Sequence, residues 1–167
     1  MKLIRHFVNA SLVSTALIAS SALAASVDVA LKITPTGQVF HAKGSQVKGA
    51  ITKNADGSIS SDKIEIPLSQ LKTGMGLRDD HMKNKHLEVS KFPNAIITNA
   101  KGKDGKGTAE LEVRGKKKAV SGTYEIQGSN VLVKFPINIS DYDVGKVRYM
   151  GMGVKDEAQV EALIPLK

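Results

Sequence analysis

Alternation dominates the chain from residue 27 onward. Val27, Val29, Leu31 and Ile33 are apolar, with Asp28, Ala30, Lys32 and Thr34 between them. A period of two sends successive side chains to opposite faces, so this run predicts a strand with one buried face. Pro35-Thr36-Gly37 ends it. A second strand region is expected over residues 38–53, with Val47, Gly49 and Ile51 on one face. Asn54-Ala55-Asp56-Gly57 reads as a hairpin, because Asp-Gly supplies positive φ. A third strand covers residues 59–66 and is closed by Pro67.

Residues 69–90 break the alternation. Met75, Leu77, Met82 and Leu87 fall irregularly among polar residues, and Asp79 or Asp80 is placed to cap a helix running to Val89. This island predicts one or two short helices, ended by Phe92-Pro93. Strands then resume. A short one over residues 95–100 leads into a glycine- and lysine-rich stretch over 101–107, expected to be flexible. Ala109, Leu111 and Val113 oppose Glu110, Glu112 and Arg114, and Val120, Gly122, Tyr124 and Ile126 repeat the pattern. After a turn at Gly128-Ser129-Asn130, the cleanest alternation follows in Val131, Val133, Phe135, Ile137 and Ile139. Residues 140–153 read as a long polar-aromatic loop, and Val160, Ala162, Ile164 and Leu166 as a final strand.

About eight strands joined by hairpins, with one helical insert, predict an all-β antiparallel sheet. Eight tilted strands can close into a barrel, which removes exposed edges and leaves a narrow interior for one elongated ligand. A sandwich is the alternative closure. No internal repeat is present.

The first 24 residues change the picture of where the protein works. Lys2 and Arg5 precede an apolar stretch over residues 7–23 that ends in Ala22-Leu23-Ala24. A charged start, an apolar middle and a small-x-small end predict a signal peptide cleaved after Ala24 and export to the periplasm or outside. An uncleaved anchor is the rival, weakened by Asn9 and several serines in a stretch short for a bilayer span. Residues 25–167 then form one domain, long enough for one core. With 0 cysteines, that domain has no disulfides, and thiol catalysis and cysteine metal sites are excluded.

Lysine and arginine number 24 against 16 acids; without Lys2 and Arg5 the count is 22 against 16, near +6. Nucleic acid is a poor match, because aromatics are only 4% and supply no stacking platforms. Lys116-Lys117-Lys118 is the one tight basic run and reads as a solvated turn, with loose attraction to an anionic membrane surface as the other reading. His81 and His86 are five apart, whereas helical metal pairs favour four, and no third ligand is evident, so no metal site is expected. Ser90 and Ser121 lack a nucleophile-elbow context, and no catalytic residues are assigned. Arg78 with Asp79 or Asp80 reads as a salt bridge holding the insert to the barrel. The loop residues Tyr142, Arg148 and Tyr149 could close over a ligand, touch a membrane or simply connect strands.

Several segments together carry a resemblance. They are residues 57–67 with the following Leu68-Ser69-Gln70-Leu71-Lys72-Thr73-Gly74, then Arg78-Asp79-Asp80-His81 with Lys91-Phe92-Pro93. Residues 107–115 follow, then 135–142 and the closing strand after Val154-Lys155-Asp156. In this order the chain resembles the YceI-like family of exported, lipocalin-like, polyisoprenoid-binding bacterial proteins.

The resemblance implies an extended, eight-stranded, lipocalin-like barrel that sequesters or carries a long-chain isoprenoid lipid of quinone or polyprenyl type, without a cofactor and without catalysis. Inward aliphatics would supply a dry cavity, and the flexible thioethers of Met75, Met82, Met150 and Met152 suit an irregular chain. The candidate ligand contacts are Met75, Leu77, Arg78, His81, Leu87, Phe92, Leu111, Val113, Tyr124, Ile126, Val133, Phe135, Ile137 and Tyr142. Arg78 or His81 would meet a lipid head at the mouth. Two other readings stand beside this one: an accessory enzyme or electron-transfer partner acting on a bound quinone, and a ligand-free structural or stress protein whose side chains fill the barrel. Pairing of two barrels is left open.

Overall fold

The computed structural model describes residues 24–34, 36–149 and 151–167. The expected leader up to Leu23, the strand-ending Pro35 and Met150 lie outside the described residues.

The chain folds as one curled antiparallel sheet. Its strands are β1 Ser26–Thr34, β2 Val39–Ser45, β3 Thr52–Lys53, β4 Ile59–Pro67, β5 Asn94–Lys103, β6 Lys106–Val113, β7 Lys116–Gln127, β8 Asn130–Asn138, β9 Arg148–Tyr149 and β10 Met152–Pro165. The order across the sheet is β2-β1-β10-β8-β7-β6-β5-β4-β3, so nine strands follow one another where eight were expected, and β9 pairs β10 off this path. The additional member of the path, β3, has two residues. The inward faces meet in one core that includes Val27, Ile64, Ile97, Val131, Phe135, Val160 and Ile164.

The region expected as one strand over residues 38–53 is instead split. Gly49 takes φ 111°, and a Cβ there would lie 2.6 Å from the carbonyl oxygen of Lys63. Glycine is therefore needed for the chain to cross from β2 close against β4. That crossing joins the two ends of the sheet through single bridges, Lys43 to Lys72 and Lys48 to Glu65, rather than a continuous ladder. The buried Ser61 hydroxyl donates to the Ala50 carbonyl at 2.8 Å on the same seam.

Two further elements run longer than alternation predicts. Residues 101–103 are not a flexible linker but the end of β5, reached through a bulge at Asn99, whose φ is 53°. One extra residue switches which side chains face inward, from Ala95 and Ile97 to Ala100 and Gly102, and hides the strand from a period-two reading. β10 begins at Met152 rather than Val160, because its first half is held by backbone pairing to β1 and β9 while most of its side chains remain in solvent.

The island is helical, as expected, but short. A 3-10 turn at Leu68–Gln70 is followed by helix α1, Gly76–His81, and a π turn, Met82–His86. The residue before α1 is Met75, which offers no side-chain cap; Asp79 lies in the first turn and reaches back to Thr73.

Candidate functional site

One end of the barrel holds a cavity of about 550 Å³. Its wall is the inward face of the sheet: Val27, Val29 and Leu31 of β1, Phe40 and Ala42 of β2, Ile66 of β4, Ala95 of β5, Leu111 and Val113 of β6, Phe135 and Ile137 of β8, and Val160 of β10. The helical insert covers one side with Leu68, Leu71, Met75, Leu77, Met82 and Leu87. The β8–β10 connection covers the other with Ile139, Tyr142, Val144 and Val147. Packed interiors rarely contain a void much larger than one water, about 30 Å³. Side chains therefore leave this end of the barrel unfilled.

The exposed lining residues are Met75, Leu77, His81 and Arg148, which places the opening between α1 and β9. The polar lining is Thr73, Arg78, His81, His86, Tyr142 and Arg148, and among the described residues no carboxylate lines the cavity. Arg78 and Asp79, expected to pair, both converge on Thr73. Arg78 Nη2 donates to the Thr73 carbonyl at 2.6 Å, while Asp79 Oδ1 accepts from the Thr73 backbone N–H at 2.7 Å and from its hydroxyl at 2.5 Å. Partial burial works against the Asp79 carboxylate, but the Thr73 hydrogen bonds, with Lys83 and Arg78, outweigh it and hold its carboxyl below the ordinary range. The Arg78 guanidinium lies over the Phe40 ring, 4.6 Å from its centroid. His86 is pushed below the ordinary histidine value by burial, assisted by His81, Lys85 and Arg114. Burial and the Asp141 charge push the Tyr142 phenol up.

Both covers are tied to the barrel through Arg114, at the β6–β7 turn. Its Nη2 donates to Glu88 Oε1 at 2.6 Å, at the end of the insert, and its Nη1 donates to the Asp143 carbonyl in the opposite cover. The lysine run beside this turn is solvent-exposed, and Lys116 pairs with Asp143 at 3.1 Å.

Of the residues singled out in the sequence, Met75, Leu77, Arg78, His81, Leu87, Leu111, Val113, Phe135, Ile137 and Tyr142 line this cavity together. Tyr124 and Val133 do not. They are register partners and line a second, smaller cavity of about 70 Å³ with Ile59 and Gly102. Among the described residues, Phe135 alone lines both cavities. Ile126 is 40% exposed, because it sits next to the β7–β8 hairpin tip where the wall ends. Phe92 lies beside Gly115 rather than in the cavity. The lining residues not singled out include Val27, Val29 and Leu31, whose shared face was visible in the alternation, and Val144 and Val147, which carried no periodic signal. Among the described residues no group of three or more His, Asp or Glu is arranged to hold a metal ion.

No curated protein matches the chain. Among solved structures, Burkholderia cenocepacia BcnA superposes with a TM-score of 0.65 at 16% identity, covering 83% of this chain and 94% of BcnA. A polyisoprenoid-binding domain from Saccharophagus degradans gives 0.62 at 14% identity, covering 84% of this chain and 91% of that domain. At such identities the likeness is one of fold. The sequence itself matches the YceI-like domain over residues 12–166, nearly its whole length, and the chain belongs to the YceI-like family.

Proposed function

We propose that this is a binding protein for a long-chain isoprenoid lipid, of quinone or polyprenyl type, which it sequesters or carries. The observation that carries this reading is the cavity: about 550 Å³, walled by aliphatic and aromatic side chains, and opening at one basic mouth. Sites of roughly 300–1,000 Å³ hold small apolar ligands, and burial there yields about 25 cal/mol per Å². The tail would lie among Leu111, Val113, Phe135 and Ile137, with the polar head near Arg78, His81 and Arg148. Family membership and the polyisoprenoid-binding relative support the same ligand class. Export to the periplasm or beyond is supported by the leader-like sequence of residues 1–24.

Native mass spectrometry after incubation with a polyprenol or a long-chain quinone tests this reading. One ligand per chain is expected, lost when Ile137→Asp places a charge in the wall. No adduct with either class would overturn it.

A further inference from the structure

Four large apolar side chains are exposed among the described residues: Val39 at 51%, Met75 at 44%, Leu77 at 68% and Ile126 at 40%. The first three gather at the cavity mouth. Met75 and Leu77 are lining residues at the opening. Val39 lies in an adjoining surface depression with His41, Lys43 and Lys72, and that depression shares Phe40, Thr73 and Arg78 with the cavity. Apolar side chains left in water at the entrance of a lipid-sized cavity call for a cover.

The charge around them selects the cover. His41, Lys43, Lys72 and Arg78 line the depression and Arg148 lines the opening; among the described residues no carboxylate lines either. Of the acids around this face, Asp28 pairs with His41 at 2.8 Å and Lys43 at 3.7 Å, Asp79 is bound by Thr73, and Asp80 of α1 is exposed; Lys43, Lys72, Arg78 and Arg148 outnumber these three carboxylates. A second copy of this chain would bring the same basic groups against these, and the three apolar side chains stand among cations instead of forming a continuous apolar core. Exposed apolar side chains beside basic groups match a bilayer interface with anionic headgroups.

We propose that the cavity mouth is a docking face for an anionic lipid bilayer. Val39, Met75 and Leu77 enter the interfacial layer, and Lys43, Lys72 and Arg148 meet the headgroups. A ligand could then pass between membrane and cavity without crossing water. The proposal rests on the lipid-binding reading above.

Vesicle flotation tests it. The purified protein is mixed with vesicles of phosphatidylethanolamine and phosphatidylglycerol, or of phosphatidylcholine alone, at low and raised salt. The variant V39D/K43E/K72E changes residues outside the large cavity. Wild type is expected on the phosphatidylglycerol vesicles, less so at high salt, and the variant is expected to lose about ten-fold or more of that binding. The variant should still take up polyprenol in detergent. Equal binding by the variant, no preference for phosphatidylglycerol, or a wild-type dimer that the variant dissolves would each overturn the docking face. Absence of polyprenol uptake by wild type, with flotation intact, would instead sink the ligand reading and the transfer of ligand with it, leaving only the membrane contact.

Discussion

Arg114 and Glu88 both hold the left-handed backbone conformation, at φ 50° and 47°, and their side chains meet at 2.6 Å. Asp143, whose carbonyl accepts the other arm of Arg114, also sits at φ 54°. L-residues other than Asn and Asp rarely adopt this conformation, at a cost of about 1 kcal/mol or more each. Arg114 and Glu88 are two such residues, and with Asp143 they are joined through one guanidinium that fixes both covers of the cavity to the β6–β7 turn. The Arg114 side chain is only 14% exposed, so its hydrogen bonds are poorly replaced by water.

Truncation of Arg114 should therefore be costly, and the substituent should matter. Arg114→Ala is expected to lose about 1.5–3 kcal/mol, the range for hydrogen bonds to charged groups. Arg114→Gly should lose about 1 kcal/mol less, because glycine adopts positive φ freely. Lys91→Ala removes only an exposed partner of Glu88 and should change stability by under about 1 kcal/mol. Urea unfolding midpoints give all three; equal losses for alanine and glycine would contradict the strained-hub account.

The strands were legible in the sequence because most expose one face, and period-two alternation reports that directly. The island was legible as a change of pattern. What alternation cannot show is where a strand bulges, as at Asn99, or where a chain crosses between edges through single bridges, as around Gly49. The wall residues of the cavity followed from the inward face. Their division between two cavities did not, because Val133, Phe135 and Ile137 share one face and differ only in depth along the barrel. Arg114 lay on the polar side of the alternation that ends β6, and nothing in its spacing signalled a partner 26 residues earlier.

Acidification should weaken the fold in two stages. His86 is held low by burial and by nearby positive groups. Between its folded value and the unfolded value of about 6.5, the unfolded chain binds the extra proton, so stability falls as pH drops below about 6.5. Glu88 is held low by hydrogen bonds from Lys91 and Arg114, and Asp79 is held low by Thr73 against its burial. Their contribution is present above about pH 4 and is lost as pH falls through their folded values. Thermal midpoints measured across pH should show both stages, and His86→Gln should abolish the first. A His86→Gln profile identical to wild type would exclude His86 as its source.

Two glycine-to-alanine changes should act in opposite directions. At Gly122 a Cβ would overlap the Lys134 carbonyl oxygen and come within 2.7 Å of the Phe135 Cβ, so G122A should cost about 1–3 kcal/mol. At Gly76, in the first turn of α1, a Cβ meets nothing within 4 Å, and G76A should gain up to about 1 kcal/mol. Thermal denaturation checks both; a neutral G122A would mean that the β7–β8 face is less tightly packed than described.

Phe135 separates the two cavities, and Phe135→Ala should join them. The empty variant is expected to lose about 3–5 kcal/mol of stability. With a mixture of polyprenols of graded length, the bound population should shift to longer chains, as read by native mass spectrometry. An unchanged length distribution would show that the second cavity takes no part in binding.

The most direct test of lipid binding is mass spectrometry of an organic extract from freshly purified protein, compared with the same protein after delipidation. A long-chain isoprenoid near one per chain, restored on adding it back, is the predicted result. An extract without isoprenoid, from protein that also takes up neither quinone nor polyprenol, would contradict it.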